Sequence, residues 1–260
     1  MEYAVEMKGI CKSFGGIQAL KSVNLELQVG EIMGIVGDNG AGKSTLMKIL
    51  SGAYQADQGE ITIFGKQTDI QNPMDSFKLG ISMIYQDLAL FNNLDVANNI
   101  FAGRELVWGP LGMTLNKKGM YRRAAELIKD LRVDIKSPKL SVSRMSGGQR
   151  QMVACARAIA FQSRIMILDE PTAALGVTEA NKLLELIKNL KNLGLSILLI
   201  TQRIPDILAI ADRVFVLKGG VRQDILNVRE ATLDDVVTLI VKGKEGNKEI
   251  ADDIVYRSFG

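Results

Sequence analysis

Two periodicities alternate along this 260-residue chain. Val23, Leu25, Leu27 and Val29 recur at every second position, the pattern of a strand with one buried face. Ile32, Met33, Ile35 and Val36 read as a buried strand, and Glu60 to Phe64 and Ile81 to Tyr85 as two more. Ile165 to Leu168 is short and wholly apolar, which suits a central parallel strand. Ser196 to Thr201 and Val214 to Leu217 are further strands, and Gly219-Gly220 predicts a hairpin turn. Helical spacing appears between them. Thr45 to Leu50 predicts a helix ended near Gly52; Tyr121, Ala124, Ala125, Leu127, Ile128 and Leu131 predict another, with Pro138 beyond its end. Leu183, Leu184, Ile187 and Leu190 define a helix capped by Thr178 and ended by Gly194, and Thr232 starts a last helix through Val241. Strands alternating with helices predict an α/β core, with a helical insertion where the texture changes. The expected division is a core from 1–86 and 160–241, an inserted helical part from 87–159, and a polar tail from 242–260. There is no internal repeat and no low-complexity segment.

Composition narrows the class. With 47% hydrophobic and 23% charged residues the chain can build a sizeable core. A net charge of +3 is too small to argue for nucleic acid or an anionic membrane as partner. The longest apolar stretch, around Leu195 to Ile200, is far short of the ~20 residues that span a bilayer. Met1 to Glu6 lacks the basic and apolar regions of a secretory signal. Cys11 and Cys155 are widely separated, which argues against a disulfide scaffold or zinc cluster and suits a reducing cytoplasm. The chain has no histidine, so imidazole mechanisms are excluded.

The strongest chemical signal is Gly37-Asp38-Asn39-Gly40-Ala41-Gly42-Lys43-Ser44-Thr45, which fits the phosphate-loop pattern of Gly, four residues, Gly-Lys-Ser/Thr. A strand runs into it and a helix leaves it. Glycines let backbone N–H groups face phosphate oxygens without an intervening Cβ, and the helix N-terminus adds partial positive charge. Lys43 is placed to reach the β- and γ-phosphates and the Ser44 hydroxyl to ligate Mg²⁺.

Two further constellations follow. The run Ile165 to Leu168 ends in Asp169-Glu170, at the strand end where α/β sheets bind ligands. Asp169 there could hold Mg²⁺ and Glu170 could take a proton from an attacking water. Alone, the pair could equally be solvated acids; behind a phosphate loop the catalytic reading is favoured. Ser146-Gly147-Gly148-Gln149 opens a helix. Ser-x-x-Gln is a capping box, but two glycines weaken a first turn. They make better sense if something approaches the backbone closely, which points to a second anion site.

With these motifs in this order, and Gln86 after a strand between them, the chain resembles the ATPase subunit of an ATP-binding cassette (ABC) transporter. Ser146 lies 23 residues before Asp169, as the family's signature sequence does. The resemblance runs from Tyr3 to about Val221, and Gly37 to Gly59 and Tyr85 to Glu105 further resemble monosaccharide importers of the ribose, fructose and galactose type. It implies a P-loop NTPase (RecA-like) core with an N-terminal antiparallel β-subdomain and an inserted α-helical subdomain. It implies ATP and Mg²⁺ as cofactors. Phe14 matches the aromatic that stacks on adenine, with a core phenylalanine as the alternative. Gln86 matches the glutamine that reaches Mg²⁺ and water and relays contact to the membrane subunit. Ser146 and Gly148 match residues that touch the γ-phosphate bound to the opposite subunit. The implied partners are a transmembrane permease, a second ATPase subunit in a head-to-tail dimer (most simply a second copy), and indirectly a sugar-binding receptor, with no nucleic acid. The implied place is cytoplasmic, peripheral on the inner face of the membrane. The permease surface is expected around Gln86 to Glu105, where Leu88, Leu90, Phe91 and Leu94 cluster. Rival readings are a soluble ABC ATPase and a nucleotide-sensing subunit with little hydrolysis.

Two positions depart from the family pattern. Gln202, in Thr201-Gln202-Arg203, stands where a histidine normally contacts the γ-phosphate. Its amide can still donate a hydrogen bond but cannot become cationic, so a slower enzyme is expected rather than a dead one. Gly176 stands where most members have an aspartate in a loop crossing the dimer interface, a mark shared with the sugar-importer group. Met145 in place of leucine conserves volume.

Overall fold

A computed structural model describes residues 2–109, 114–131, 134–161 and 163–244. The expected tail, 242–260, therefore lies outside the described residues from 245 onward. The chain begins with a long hairpin, β1 (Tyr3–Phe14) and β2 (Ile17–Gln28), followed by β3 (Ile32–Val36) and α1 (Lys43–Leu50). Next come β4 (Gln58–Ile63), β5 (Lys66–Thr68), α2 (Pro73–Lys78) and β6 (Ile81–Ile84). The middle of the chain holds α3 (Val96–Phe101), a short pair β7 (Val107–Trp108) and β8 (Thr114–Leu115), α4 (Lys117–Asp130) and α5 (Gly147–Ala160). The chain then returns through β9 (Ile165–Asp169), α6 (Val177–Asn192), β10 (Ser196–Ile200), α7 (Ile204–Ile210), β11 (Arg213–Lys218), β12 (Val221–Asn227) and α8 (Leu233–Val241).

Two sheets carry the architecture. One has four strands in the order β2-β1-β4-β5, all antiparallel; the other has six in the order β12-β11-β3-β10-β9-β6. In the second every pairing is parallel except that of β12 with β11. The pleat sorts the central strands onto two cores. Ile197 and Leu199 of β10 and Met166 and Leu168 of β9 face the helices α3 to α8. Leu198, Ile200, Ile165 and Ile167 face the antiparallel sheet and α1, packing with Val5, Met7, Leu46 and Met47. Burial on both faces explains why β9 and β10 are near-continuous apolar runs. This is the α/β fold expected, with an antiparallel β layer and inserted helices.

Several local expectations need correction. The helix expected to be capped by Thr178 starts at Val177, and its cap is Gly176, whose carbonyl accepts from the Ala180 N–H with no side-chain cap. The strand expected from Val23 begins at Ile17 and belongs to a twelve-residue arm. Phe64 lies past the end of β4, in a turn with φ +47°. The Gly219-Gly220 turn does join β11 to β12, and Thr232 does cap α8 through a capping box with Asp235. Of the apolar group expected to form a partner surface, Leu88 and Leu90 pack against the helical core, and only Phe91 is strongly exposed, at 53%.

Candidate active site

The C-terminal ends of β3, β6, β9 and β10 lie side by side in the parallel sheet, and each hands over to a loop carrying polar groups. This convergence is what turns scattered motifs into a site. After β3 the chain enters the phosphate loop. A Cβ on Gly42 (φ +103°) would lie 2.7 Å from the Ala19 carbonyl oxygen, and one on Gly37 would lie 2.0 Å from that of Leu217. The loop is thus wedged against β2 and β11, and these two glycines are required by the protein itself. Lys43 folds back over the loop and donates to the carbonyls of Gly37 (2.6 Å) and Asp38 (2.9 Å). Burial lowers its pKa, against the pull of Glu170, Asp38 and Asp169.

β9 delivers the two carboxylates. Burial pushes the Asp169 pKa up, opposed by Lys48, Lys43 and the Ser44 hydroxyl. Glu170 follows in a left-handed conformation, φ +51°, uncommon for a residue with a side chain. Its N–H donates to Ile200 O and its carbonyl accepts from Ala173. Burial raises its pKa as well, the Gln202 N–H beside it lowers it, Asp169 raises it, and Lys43 and Thr201 lower it. A carboxylate displaced upward is a better proton acceptor near neutrality. β10 ends at Ile200, and Gln202 beyond it donates its side-chain amide to Asn39 Oδ1 (2.9 Å) and its backbone N–H to Glu170 Oε2 (3.4 Å).

These groups line one cleft of about 290 Å³: Asn39, Gly40, Ala41, Gly42, Lys43, Ser44, Thr45, Gln86, Asp169, Glu170 and Gln202, with Ala19 and Ile200. Phe14, Ser146 and Gly148 do not line it. Phe14 sits at the tip of the β1–β2 hairpin, 43% exposed, its ring 5.2 Å from that of Tyr54 in an edge contact, so it is not a core side chain. Ser146 caps α5 through a complete capping box with Gln149. A Cβ on Gly148 would come within 3.1 Å of the Glu179 Cβ, so within one chain the close neighbour of this glycine is α6. One contributor escaped the sequence reading: Lys48, whose charge acts on Asp169, is five residues from Lys43 and off its helical face. Asn39 and Gln202 both read as site residues, but their contact exists only through the tertiary fold.

A second cleft, of about 310 Å³, opens between α2, β6 and the helical part, with Ser51, Phe77, Tyr85, Arg104, Arg157 and Phe161 among its walls. The guanidinium carbon of Arg104 lies 3.2 Å from the Phe77 ring centroid and 4.7 Å from that of Phe161. Arg157 donates to the carbonyls of Leu88 and Ala89, just beyond Gln86. No carboxylate lines this cleft, whereas Asp169 and Glu170 line the first one.

A phosphate loop at the end of a parallel strand, with two carboxylates at the end of the next strand but one, defines a nucleoside-triphosphate hydrolase. The family model described as "ABC transporter" matches residues 20–173, and the chain belongs to that family. It is therefore an ATP-binding, ATP-hydrolysing protein. It is 43% identical to the xylose/arabinose import ATP-binding protein XylG of Sulfolobus acidocaldarius, an alignment covering 94% of this chain and 97% of that one. Identity to the fructose import ATP-binding protein FrcA of Rhizobium meliloti is 39%, covering 93% and 95%. Against the ribose import ATP-binding protein RbsA of Caldanaerobacter subterraneus identity is 42%, but the chain spans only 49% of that protein. Among solved structures, a nucleotide-free ATP-binding cassette from an ABC transporter matches with a TM-score of 0.78 at 23% identity, covering 97% and 96% of the two chains. The dimeric, post-hydrolysis cassette MJ0796 bound to ADP and Pi matches with a TM-score of 0.73 at 27% identity, covering 87% and 100%.

Proposed function

We propose that this chain is the energising subunit of a sugar importer, working as a pair of cassettes beneath a membrane permease. The observation that carries the reading is the 43% identity to a xylose/arabinose import ATP-binding protein over nearly the whole of both chains. Phe14 stacks on adenine, and the phosphate loop with Lys43 holds the triphosphate. Glu170 accepts the proton of the attacking water, and Gln202 and Gln86 orient groups around the γ-phosphate. Catalysis is then mostly positioning and electrostatics. Ser146 and Gly148, which lie outside the cleft, serve the neighbouring subunit's nucleotide, which makes the dimer the working unit; a second copy of this chain is the simplest partner.

The donor set suits Mg²⁺. Ser44, Gln86 and Asp169 offer oxygens in one cleft, and no cluster of three or more His, Cys, Asp or Glu side chains assembles among the described residues. A hard cation held by one carboxylate, one hydroxyl and substrate phosphates needs no such cluster. When bound, Mg²⁺ neutralises charge on the phosphates. Among the described residues no helix is long and apolar enough to cross a membrane. By its likeness to import ATP-binding proteins, the chain works as a peripheral subunit on the cytoplasmic face. The second cleft, with Arg104, Arg157 and exposed Phe91 nearby, is the surface offered to the permease, and a sugar receptor would act through that permease.

The test is to disrupt the gene and measure uptake of labelled pentoses and hexoses, then isolate the tagged chain from membranes. Loss of uptake of one sugar and co-isolation of a multi-span protein are expected. Unchanged uptake of every sugar, with the chain free of membrane proteins, would overturn the reading.

A further inference from the structure

We infer that Asp206 is a positioning residue for ATP hydrolysis, holding the loop of Glu170 and the loop of Gln202 in register through Thr172. The inference rests on the roles proposed above for Glu170 and Gln202. Asp206 lies in the first turn of α7, four residues after Gln202, and is only 6% exposed. Thr172 lies two residues after Glu170 and is 1% exposed. The Thr172 hydroxyl donates to Asp206 Oδ2 at 2.8 Å, and the Arg203 Nε lies 3.4 Å from the same oxygen.

A buried carboxylate is costly unless its partners are well placed, and a hydroxyl–carboxylate bond is short and directional. This one joins segments 34 residues apart. Above it, on the cleft side, the same two loops meet a second time, where the Gln202 N–H approaches Glu170 at 3.4 Å. That upper contact is long and exposed; the lower one is short and buried. The lower bond therefore sets the spacing and the upper one follows it. Glu170 also needs external support, because its left-handed backbone is not a conformation it holds unaided. Downstream, the Thr172 carbonyl accepts from the Leu175 N–H, and the Gly176 carbonyl from Ala180. The bond thus ties the loop of Gln202 to the start of α6, whose Glu179 packs on Gly148 of the signature segment. Neither Asp206 nor Thr172 lines the nucleotide cleft, so the effect is on turnover and not on nucleotide grip.

The experiment uses the full chain in two settings. In the assembly that co-isolates with it from membranes, ATP turnover and apparent KM are measured for Thr172→Val, Asp206→Ala, the double variant, Thr172→Ser and Glu170→Gln. A kcat loss of roughly 10- to 100-fold is expected for the first two, the size attached to small misplacements of catalytic groups, with KM for ATP within about twofold. The double variant should lose no more than the worse single one, and Thr172→Ser should keep most of the activity. In the isolated chain, amide hydrogen exchange should show Thr172→Val deprotecting 201–206 and Asp206→Ala deprotecting 170–176. Additive losses, KM rising in step with the fall in kcat, or exchange changes confined to the mutated loop would each overturn the inference. If Glu170→Gln hydrolyses ATP normally while the reciprocal exchange effect persists, the coupling stands as structure, the roles assigned to Glu170 and Gln202 fall, and with them the inference about turnover.

Discussion

The side-chain amide of Gln202 donates to Asn39 Oδ1 across 2.9 Å, joining the loop after β10 to the phosphate loop 163 residues earlier. The residue that replaces the usual histidine is thus already parked on the nucleotide cradle. An amide has two N–H donors, so one can stay on Asn39 while the other reaches a γ-phosphate oxygen. A hydrogen bond to a charged group contributes about 1.5–3 kcal/mol, equivalent to ~10- to 150-fold in rate if made in the transition state. Gln202→Ala is expected to cut kcat by an amount in that range, and Gln202→His, able to carry a proton, to raise it above the parent. An unchanged turnover number in both variants, measured with saturating Mg²⁺–ATP, would remove Gln202 from the mechanism.

Glu170 is held by three neighbours, Ile200, Ala173 and Gln202, and its carboxyl is displaced upward by burial. Removing a general base of this kind typically costs 10²- to 10⁴-fold. Glu170→Gln should lose turnover on that scale while still binding ATP, since the phosphate loop and Lys43 are untouched. Trapped nucleotide should then favour the paired state. Light scattering of Glu170→Gln with and without ATP checks this: a doubling of mass with ATP is expected, and solitary chains at saturating ATP, even with the permease present, would count against the shared site.

The contiguous parts of this site were legible in the sequence, and the tertiary parts were not. The phosphate loop and Asp169-Glu170 sit within single strand–loop units, so local spacing exposes them. β9 and β10 could be read because both of their faces are buried and the apolar runs are unbroken. β1 was hard to read because its pairing with β2 shifts register four times between Tyr3 and Ser13, which scrambles alternation. β7 and β8, at two residues each, are too short to have a period. Thr178 attracted the cap assignment because threonine is a good N-cap, whereas the chain starts the helix from an extended glycine. The contacts of Gln202 with Asn39 and of Thr172 with Asp206 leave no local signature at all.

Phe14 stands clear of the core at the hairpin tip, in edge contact with Tyr54 and 5.5 Å from the Lys12 ammonium. An exposed ring there has little stability to lose. Base–aromatic stacking contributes about 1–3 kcal/mol, so Phe14→Ala should weaken ATP binding by ~5- to 150-fold with melting temperature nearly unchanged. Binding of inorganic triphosphate, which has no base, should not move. Titration calorimetry with both ligands separates the outcomes; equal weakening of both would show that the ring supports the loop and not adenine.

Cys155 is fully buried on α5, and burial pushes its thiol up to about 12. At pH 8 it stays protonated and shielded, and the thiolate is the reactive form. Cys11 is half-buried on β1. Ellman's reagent should titrate no more than one thiol in the native chain and two in guanidinium. Two fast-reacting thiols before unfolding would contradict the packing described for α5.

The two signature glycines should respond differently to an added methyl group. At Gly147 the nearest obstacle is the Leu175 Cδ2 at 3.2 Å, the end of a flexible side chain. At Gly148 it is the Glu179 Cβ at 3.1 Å, fixed to the first turn of α6. Alanine gains up to about 1 kcal/mol over glycine in a helix interior, and less in a first turn, while overpacking costs ~1–3 kcal/mol. The balance is near zero for Gly147→Ala and unfavourable for Gly148→Ala. Gly148→Ala should therefore lower the melting temperature by about 2–6 °C in a chain of this size, and Gly147→Ala by less than ~2 °C. If Gly148→Ala instead melts like the parent and loses ATP turnover in the assembled transporter, the glycine is kept for a neighbour's nucleotide. If it melts early and the double variant with Glu179→Gly, in which that Cβ is gone, melts no lower than Glu179→Gly alone, packing on α6 is sufficient reason for a glycine at this position.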